Sequence, residues 1–375
     1  MAEAATLKVL CVVGARPNFM KIAPLMRVFR NQEARFDAVL LHTGQHYDEA
    51  MKAAIFRQLD IPEPDIDLEV GSGTHTQQTA EIMLRFEKQL NQLAPDLVLV
   101  VGDVNSTIAC ALVAVKQGVP VVHVEAGLRS FDRGMPEEIN RVLTDQISDL
   151  LFVTEPEGIE NLRHEGIDND KIHFVGNVMI DTLLSNRTKA IPAQETLTKF
   201  GADFSASDGF AVLTLHRPSN VDDPIVLKRL VSVLCGLSLK LPLVFPIHPR
   251  TLQRLQDFHL EEEIRQAKIL QMPPLGYLQL LGLMAEARMV LSDSGGIQEE
   301  TTALGIPCIT LRENTERPIT VSEGTNTIVG TDPEAIMACA EDILSTGGRG
   351  SRIPELWDGR ASTRIADILY ARYRG

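Results

Sequence analysis

Hydrophobic positions follow two alternating patterns along the chain. Short unbroken apolar runs, rich in β-branched residues, alternate with stretches in which apolar residues return every three or four positions. The first pattern marks strands covered on both faces, the second helices. Lys8–Val13 reads as a strand, Pro24–Arg30 as a helix and Ala38–Leu41 as a strand. Thr76–Leu90 is helical, Leu97–Val101 a strand, Ser106–Lys116 helical and Val119–Val124 another strand. Pro136–Ser148 then reads as helix and Leu150–Thr154 as strand. The second half repeats the scheme, with strands at Ala211–Leu215, Leu243–Ile247, Val290–Ser292 and Cys308–Leu311. Its helices are expected at Pro224–Leu237 and Leu275–Ala287, with a last one at Ser362–Tyr373.

Alternation in two halves predicts an α/β protein of two Rossmann-like, doubly wound parallel-sheet domains facing a cleft. The seam is expected near residues 181–208, because Asn186–Asp208 is polar, contains Pro192 and Gly201, and shows no sustained strand pattern. Ligands of open α/β sheets bind outside the carboxyl ends of the strands. The residues just after each strand are therefore the candidates for chemistry.

Composition narrows the classes. The 375 residues are 44% hydrophobic and 23% charged, ordinary values for a globular chain. A formal net charge of −14 repels a phosphate backbone, so nucleic acid is not expected as a partner, while a local basic pocket for a small anion is compatible with it. No apolar run approaches the roughly 18 residues that cross a bilayer, so no membrane insertion is expected. Residues 1–6 read as a loose tail rather than a secretory leader. Cys11, Cys110, Cys235, Cys308 and Cys339 are scattered, odd in number and set among apolar neighbours. They read as buried free thiols of a cytoplasmic protein.

Strand one is followed by Gly14-Ala-Arg-Pro-Asn-Phe-Met-Lys21. A turn into a helix offers backbone N–H groups and the positive end of the dipole; Arg16 and Lys21 add two cations, so an anion such as phosphate suits this point. A lone Gly14 is not a dinucleotide fingerprint, and no nicotinamide cofactor is expected. Asp103, after Leu97–Val101, either caps the next helix or presents a carboxylate to the cleft. Glu125, after His123 at the end of Val119–Val124, is a carboxylate open to partial desolvation, which suits acid–base work. Glu137 falls in the first turn of a helix opened by Pro136, where dipole compensation is its plain reading. Three carboxylates at one sheet edge nevertheless suggest a common site.

In the second half, a strand ends in His216-Arg217, a pair suited to a polyanion, and His248-Pro-Arg250 repeats the pattern more weakly. The sharpest segment is Ser292-Asp-Ser-Gly-Gly-Ile-Gln-Glu-Glu300. Ser294, Gly295 and Gly296 permit close backbone approach to phosphate oxygens, and Glu300 lies one turn inside the helix, where it can accept from ribose hydroxyls. His123, Glu125 and Asp103 are metal-ligand types, but no ligand spacing accompanies them and no metal is expected. No G-x-S-x-G elbow is present.

Taken together, these stretches resemble the non-hydrolysing UDP-N-acetylglucosamine 2-epimerases. The similarity runs through Gly14–Lys21, Gly44-Gln-His46, Gly102-Asp103, His123-Val-Glu-Ala-Gly-Leu-Arg129, Pro136-Glu-Glu-Ile-Asn-Arg141, Ser292–Glu300, Glu316-Arg-Pro318 and Gly359-Arg-Ala-Ser-Thr-Arg-Ile365. The resemblance implies a glycosyltransferase-B-like fold. Residues 1–182 form one domain, rejoined by a helix at about 360–375, and 183–359 form a UDP-binding domain. It also implies a homodimer, no cofactor, and interconversion of UDP-GlcNAc and UDP-ManNAc through 2-acetamidoglucal plus UDP, for surface polysaccharide precursors. Asp103, Glu125, Glu137 and His216 match the family's catalytic set. Arg16, Lys21, Arg217, His248, Ser294, Gly295, Gly296, Glu300 and Arg317 fall to UDP-sugar binding, with Tyr277 where the uracil is held. In members activated by a second substrate molecule, Arg and Gln stand in the neighbourhood of Tyr47–Ala50 and an arginine in that of residues 71–78; this chain lacks them there, and His216-Arg-Pro-Ser-Asn220 departs from the His-Arg-Arg-Glu form. A modified UDP-sugar such as a diacetamido uronic acid, a hydrolysing epimerase, a glycosyltransferase and a non-catalytic nucleotide-sugar binder are the alternatives.

Overall fold

The structure is a computed structural model that describes residues 6–44, 56, 58, 59 and 61–375, with only the backbone of Arg16 and Pro17. It divides into two compact units, Met1–Ser185 with Glu355–Gly375, and Asn186–Pro354.

Among its described residues the first unit has seven strands: β1 Leu7–Val13, β2 Phe36–His42, β3 Ile66–Asp67, β4 Leu97–Val101, β5 Val121–Ala126, β6 Leu150–Val153 and β7 Ile172–Phe174. They form one parallel sheet in the order β3-β2-β1-β4-β5-β6-β7. One face of β1 and β4 (Leu10, Val12, Val98 and Val100) packs against Phe86 and Ala111 of the helices His75–Leu93 and Asn105–Lys116. Helix Arg16–Arg30 and the last helix, Ala361–Arg374, pack on each other. There Phe36 lies against Phe29 and Tyr370.

Helix Arg16–Arg30 begins eight residues earlier than the pattern predicts and carries Pro24 inside it. A proline there has no N–H for the carbonyl four residues back, that of Met20. The hydroxyl of Thr182 donates to that carbonyl at 2.6 Å, so a side chain 162 residues away satisfies the gap.

The second unit holds β8 Ala211–Thr214, β9 Leu243–Pro246, β10 Ile269–Met272, β11 Met289–Ser292, β12 Cys308–Thr310 and β13 Asn326–Ile328. Their order is β10-β9-β8-β11-β12-β13, again parallel. Leu213, Leu243, Phe245 and Leu291 face one core, while Val212, Val244 and Val290 face another. That alternation explains why both kinds of position are apolar.

The predicted fold class of two Rossmann-like, doubly wound parallel sheets is the observed one. Predicted strands and helices stand within a few residues of their expected ends, Pro24–Arg30 excepted. The stretch 186–208 contains a helix, Ala193–Lys199, that its polar composition hides. Among the five free cysteines, Cys11, Cys110 and Cys308 are buried, but Cys235 and Cys339 are half-exposed, contrary to the expectation for all five. Among the described residues no helix is long and apolar enough to cross a membrane.

Candidate active site

In each sheet the winding reverses at one place: between β1 and β4 in the first unit and between β8 and β11 in the second. These switch points open a crevice at the carboxyl edge, where open α/β sheets take their ligands.

At the first switch point, the buried carboxylate of Glu125 meets Lys21, with Nζ 2.7 Å from Oε1 and side-chain exposures of 1% and 7%. Lys21 thus balances a buried carboxylate, because a buried charge needs its counter-charge. Glu125 has φ of +73°, where the β5–β6 register shifts between Val124 and Ala126. A β-bulge of this kind re-aims a side chain, and the left-handed backbone of a non-glycine residue costs about 1–3 kcal/mol that the surroundings must offset. Gly102, at φ +66°, makes room for the pair: a Cβ there would lie 2.7 Å from Lys21 Nζ.

Asp103 follows directly. Its Oδ2 is 2.5 Å from Arg141, and its carbonyl accepts from Asn140 Nδ2 at 2.9 Å. Both partners lie on helix Pro136–Ile147, one turn beyond Glu137 and on the same face. That face brings half-buried Glu137 towards Asp103, with no hydrogen bond to Glu137 among the described residues. Its neighbour Glu138 is structural, accepting from the backbone N–H groups of Ser130 and Phe131 and from Arg141.

His123 is spanned between Asp145 Oδ1 at 2.6 Å and the Gly102 carbonyl at 2.8 Å, so both ring nitrogens are engaged. Burial would raise the Asp145 carboxyl, but His123 and Arg129 outweigh it and bring it below its ordinary range. Among the described residues no group of three or more His, Cys, Asp or Glu is placed to hold a metal ion. The side chain of Arg16 and the residues Gln45–Ala50 lie outside the described residues.

At the second switch point, helix Gly295–Leu304 starts at Ser294 with no side-chain cap, so its first amides are open to an anion. The guanidinium of Arg317 lies over this end: a Cβ on Gly295 would sit 3.2 Å from Arg317 Nη1. Arg317 Nε is 2.9 Å from Glu299. Buried Glu316 takes both ends of Arg312, at 2.7 and 2.9 Å, and stands 3.9 Å from Arg217 and from Arg317. Burial would raise the Glu316 carboxyl; the Arg312 hydrogen bonds and the charges of Arg317, Arg312 and Arg217 hold it at about 2. Arg217, Arg312 and Arg317 thus gather with the carboxylates Glu299 and Glu316 in one buried cluster.

His216 Nδ1 is 3.0 Å from Asp293, its side chain 39% exposed. His248 lies alongside, ring centres 5.8 Å apart, and accepts the Arg250 N–H on Nδ1. Glu300 is buried next to Tyr277, and burial together with the Glu300 charge pushes the phenol well above its ordinary range. Tyr277 thus brings a side chain, and not backbone alone, to this corner.

Sequence reasoning missed Asp293, Glu316 and Glu299 as members of these clusters. All three lay inside quoted motifs, but the partners of Asp293 come from another strand end, as does Arg217 beside Glu316.

Two doubly wound sheets, each with charged residues gathered at a switch point, define an α/β protein of the glycosyltransferase-B-like class. The chain belongs to the UDP-N-acetylglucosamine 2-epimerase family, whose model matches residues 30–370. The UDP-N-acetylglucosamine 2-epimerase of Methanocaldococcus jannaschii is 42% identical over 371 residues, 98% of this chain and 100% of that one. A crystal structure of the M. jannaschii enzyme in complex with UDP-GlcNAc and UDP matches with a TM-score of 0.88 at 41% identity, covering 97% of this chain and 100% of that one. The UDP-2,3-diacetamido-2,3-dideoxy-D-glucuronate 2-epimerase of Pseudomonas aeruginosa is 40% identical over 370 residues, 97% of this chain and 99% of that one. The family is one of isomerases.

Proposed function

We propose that this protein is a non-hydrolysing epimerase that interconverts UDP-GlcNAc and UDP-ManNAc, acting as a cytoplasmic homodimer on a precursor of surface polysaccharide. The observation that carries the reading is full-length identity of 42% to a relative named UDP-N-acetylglucosamine 2-epimerase, combined with acids at one switch point and an open helix end at the other. The C2 proton of the sugar is not next to a carbonyl, so removing it alone is too costly. In the proposed route, a base takes that proton, the C–H electrons form the C1=C2 bond and the C1–O electrons leave with UDP. UDP then adds back at C1 while an acid protonates C2 on the other face. Two faces call for two acid–base groups, and Glu125 and Glu137 are assigned to them. Asp103, held by Arg141, orients the sugar. His216 stabilises the departing diphosphate, which Arg16, Arg217, Arg317 and the amides at Ser294, Gly295 and Gly296 hold. His248 flanks it, Glu300 takes the ribose hydroxyls and Tyr277 lies at the base. Lys21 serves through Glu125.

The P. aeruginosa relative supports a second reading, the same elimination on a UDP-diacetamido uronic acid. Proton NMR of the protein with UDP-GlcNAc in D₂O tests both. UDP-ManNAc with deuterium at C2 is the expected result. Free ManNAc with stoichiometric UDP would mean hydrolysis instead, and absence of exchange would move the assignment to the uronic-acid sugar.

A further inference from the structure

We propose that Asp293 is the positioning residue for His216: it fixes which ring nitrogen faces the diphosphate and favours the charged ring as UDP departs. This rests on the epimerase reading above.

Asp293 ends the β11 turn and is fully buried. Its carboxylate gathers four donors from the loop after β8: the backbone N–H of His216 at 3.0 Å, that of Arg217 at 2.9 Å, Asn220 Nδ2 at 3.2 Å and His216 Nδ1 at 3.0 Å. Burial would raise this carboxyl, but His216 and the backbone N–H groups of Arg217 and His216 bring it below its ordinary range. A carboxylate accepts only, so Nδ1 must be the protonated nitrogen. The same Asp293 oxygens hold both the backbone and the ring of His216, which leaves the ring little freedom to turn. Nε2 is then the free end, with no partner among the described residues. Asn220 also donates to the Leu311 carbonyl at 2.8 Å, tying the clamp to the end of β12. The residue after Asp293 is Ser294, where the open helix begins. One buried carboxylate thus sets the histidine and the start of the anion cradle together.

The charge on the leaving oxygen grows as the C1–O bond breaks. An ionised Asp293 behind Nδ1 stabilises the imidazolium, so Nε2–H can donate to that oxygen; on re-addition the proton stays with the ring and nothing is consumed. His248 from the end of β9 also faces the ring, and Arg217 is the next residue in sequence.

The test is NMR of protein labelled with ¹⁵N-histidine, with His216 assigned among the nine histidines by its loss in His216→Asn. Native His216 is expected to carry its proton on Nδ1 when neutral, and a bare Nδ1 overturns the proposal with no variant needed. In Asp293→Asn the neutral ring should shift to the Nε2–H form. The kcat for epimerisation should drop about 10²–10³-fold, with KM changed less than threefold. A structural role alone would lower stability and leave the tautomer as it was. The tautomer readout also separates two failures. A wild type that holds the Asp293-dependent Nδ1–H form but turns over no UDP-sugar sinks the epimerase reading, whereas an unchanged tautomer in Asp293→Asn sinks the positioning role whatever the activity.

Discussion

The Lys21–Glu125 pair offers the sharpest energetic test of the first unit. Both side chains are almost fully buried and 2.7 Å apart, so neither charge has water to fall back on. Lys21→Met keeps most of the stem and removes the ammonium that balances the buried carboxylate. Breaking such a pair costs about 3–5 kcal/mol, whereas replacing both partners by apolar groups is often close to neutral. For a unit of this size each kcal/mol lowers the melting temperature by about 2–4 °C, so Lys21→Met should melt roughly 6–20 °C lower. Glu125→Leu should cost a similar amount, and the double variant should recover more than half of either loss. The sole tryptophan is a ready probe: Trp357 is buried in the first unit and donates to the Thr154 carbonyl. Urea unfolding followed by its fluorescence gives the four corners of a double-mutant cycle. Single variants that each cost under about 1 kcal/mol, or a double variant that costs their sum, would refute the reasoning.

Three further outcomes are expected. Glu125→Gln and Glu137→Gln should each cut kcat at least a hundredfold and stop deuterium entry at C2 in D₂O; a loss under tenfold removes that residue from the catalytic set. The Glu316 carboxyl lies at about 2 in the fold against an ordinary 4.5, so its contribution is complete above pH 4.5 and fades as pH falls towards 2. That contribution is about 3 kcal/mol in full and roughly half gone by about pH 3.5, so the wild type should lose that much more stability than Glu316→Gln between about pH 6 and 3.5 by far-UV circular dichroism in urea. Asp181 accepts from the N–H groups of Ala361 and Ser362 and from the Ser362 hydroxyl, so Asp181→Ala should cost about 1–3 kcal/mol, expose Arg360 and Arg364 to trypsin and shift the Trp357 emission to the red.

The readability of the sequence varied with the range of the interaction. Leu97–Val101 was legible residue for residue, because a strand covered on both faces is apolar throughout. The strands Ile172–Phe174 and Asn326–Ile328 are three residues long and gave no periodicity to detect. Helix Arg16–Arg30 was cut short because Pro24 reads as a breaker until Thr182 is known to serve the Met20 carbonyl. The same limit governed the site. Candidates at strand ends could be chosen from position alone, since the fold class directs chemistry there. Their partners could not: Glu125 meets a lysine 104 residues away, and Asp293 holds a loop 77 residues before it. Lys21 could be placed beside the first strand end from position alone, but not against Glu125.

The first unit is discontinuous. Its sheet is complete by Phe174, but residues 355–375 supply Trp357, the Asp181 contacts and the helix against Arg16–Arg30, with all of the second unit threaded between. On the ribosome, the amino-terminal sheet emerges first and waits for the last of these residues, while the second unit, contiguous in sequence, has every strand of its own already out. Synthesis order and order of completion are therefore opposed. The helix packed beside Phe36 must be kept from other partners in the interval, and a premature stop near residue 354 would harm the domain made first more than the one made last.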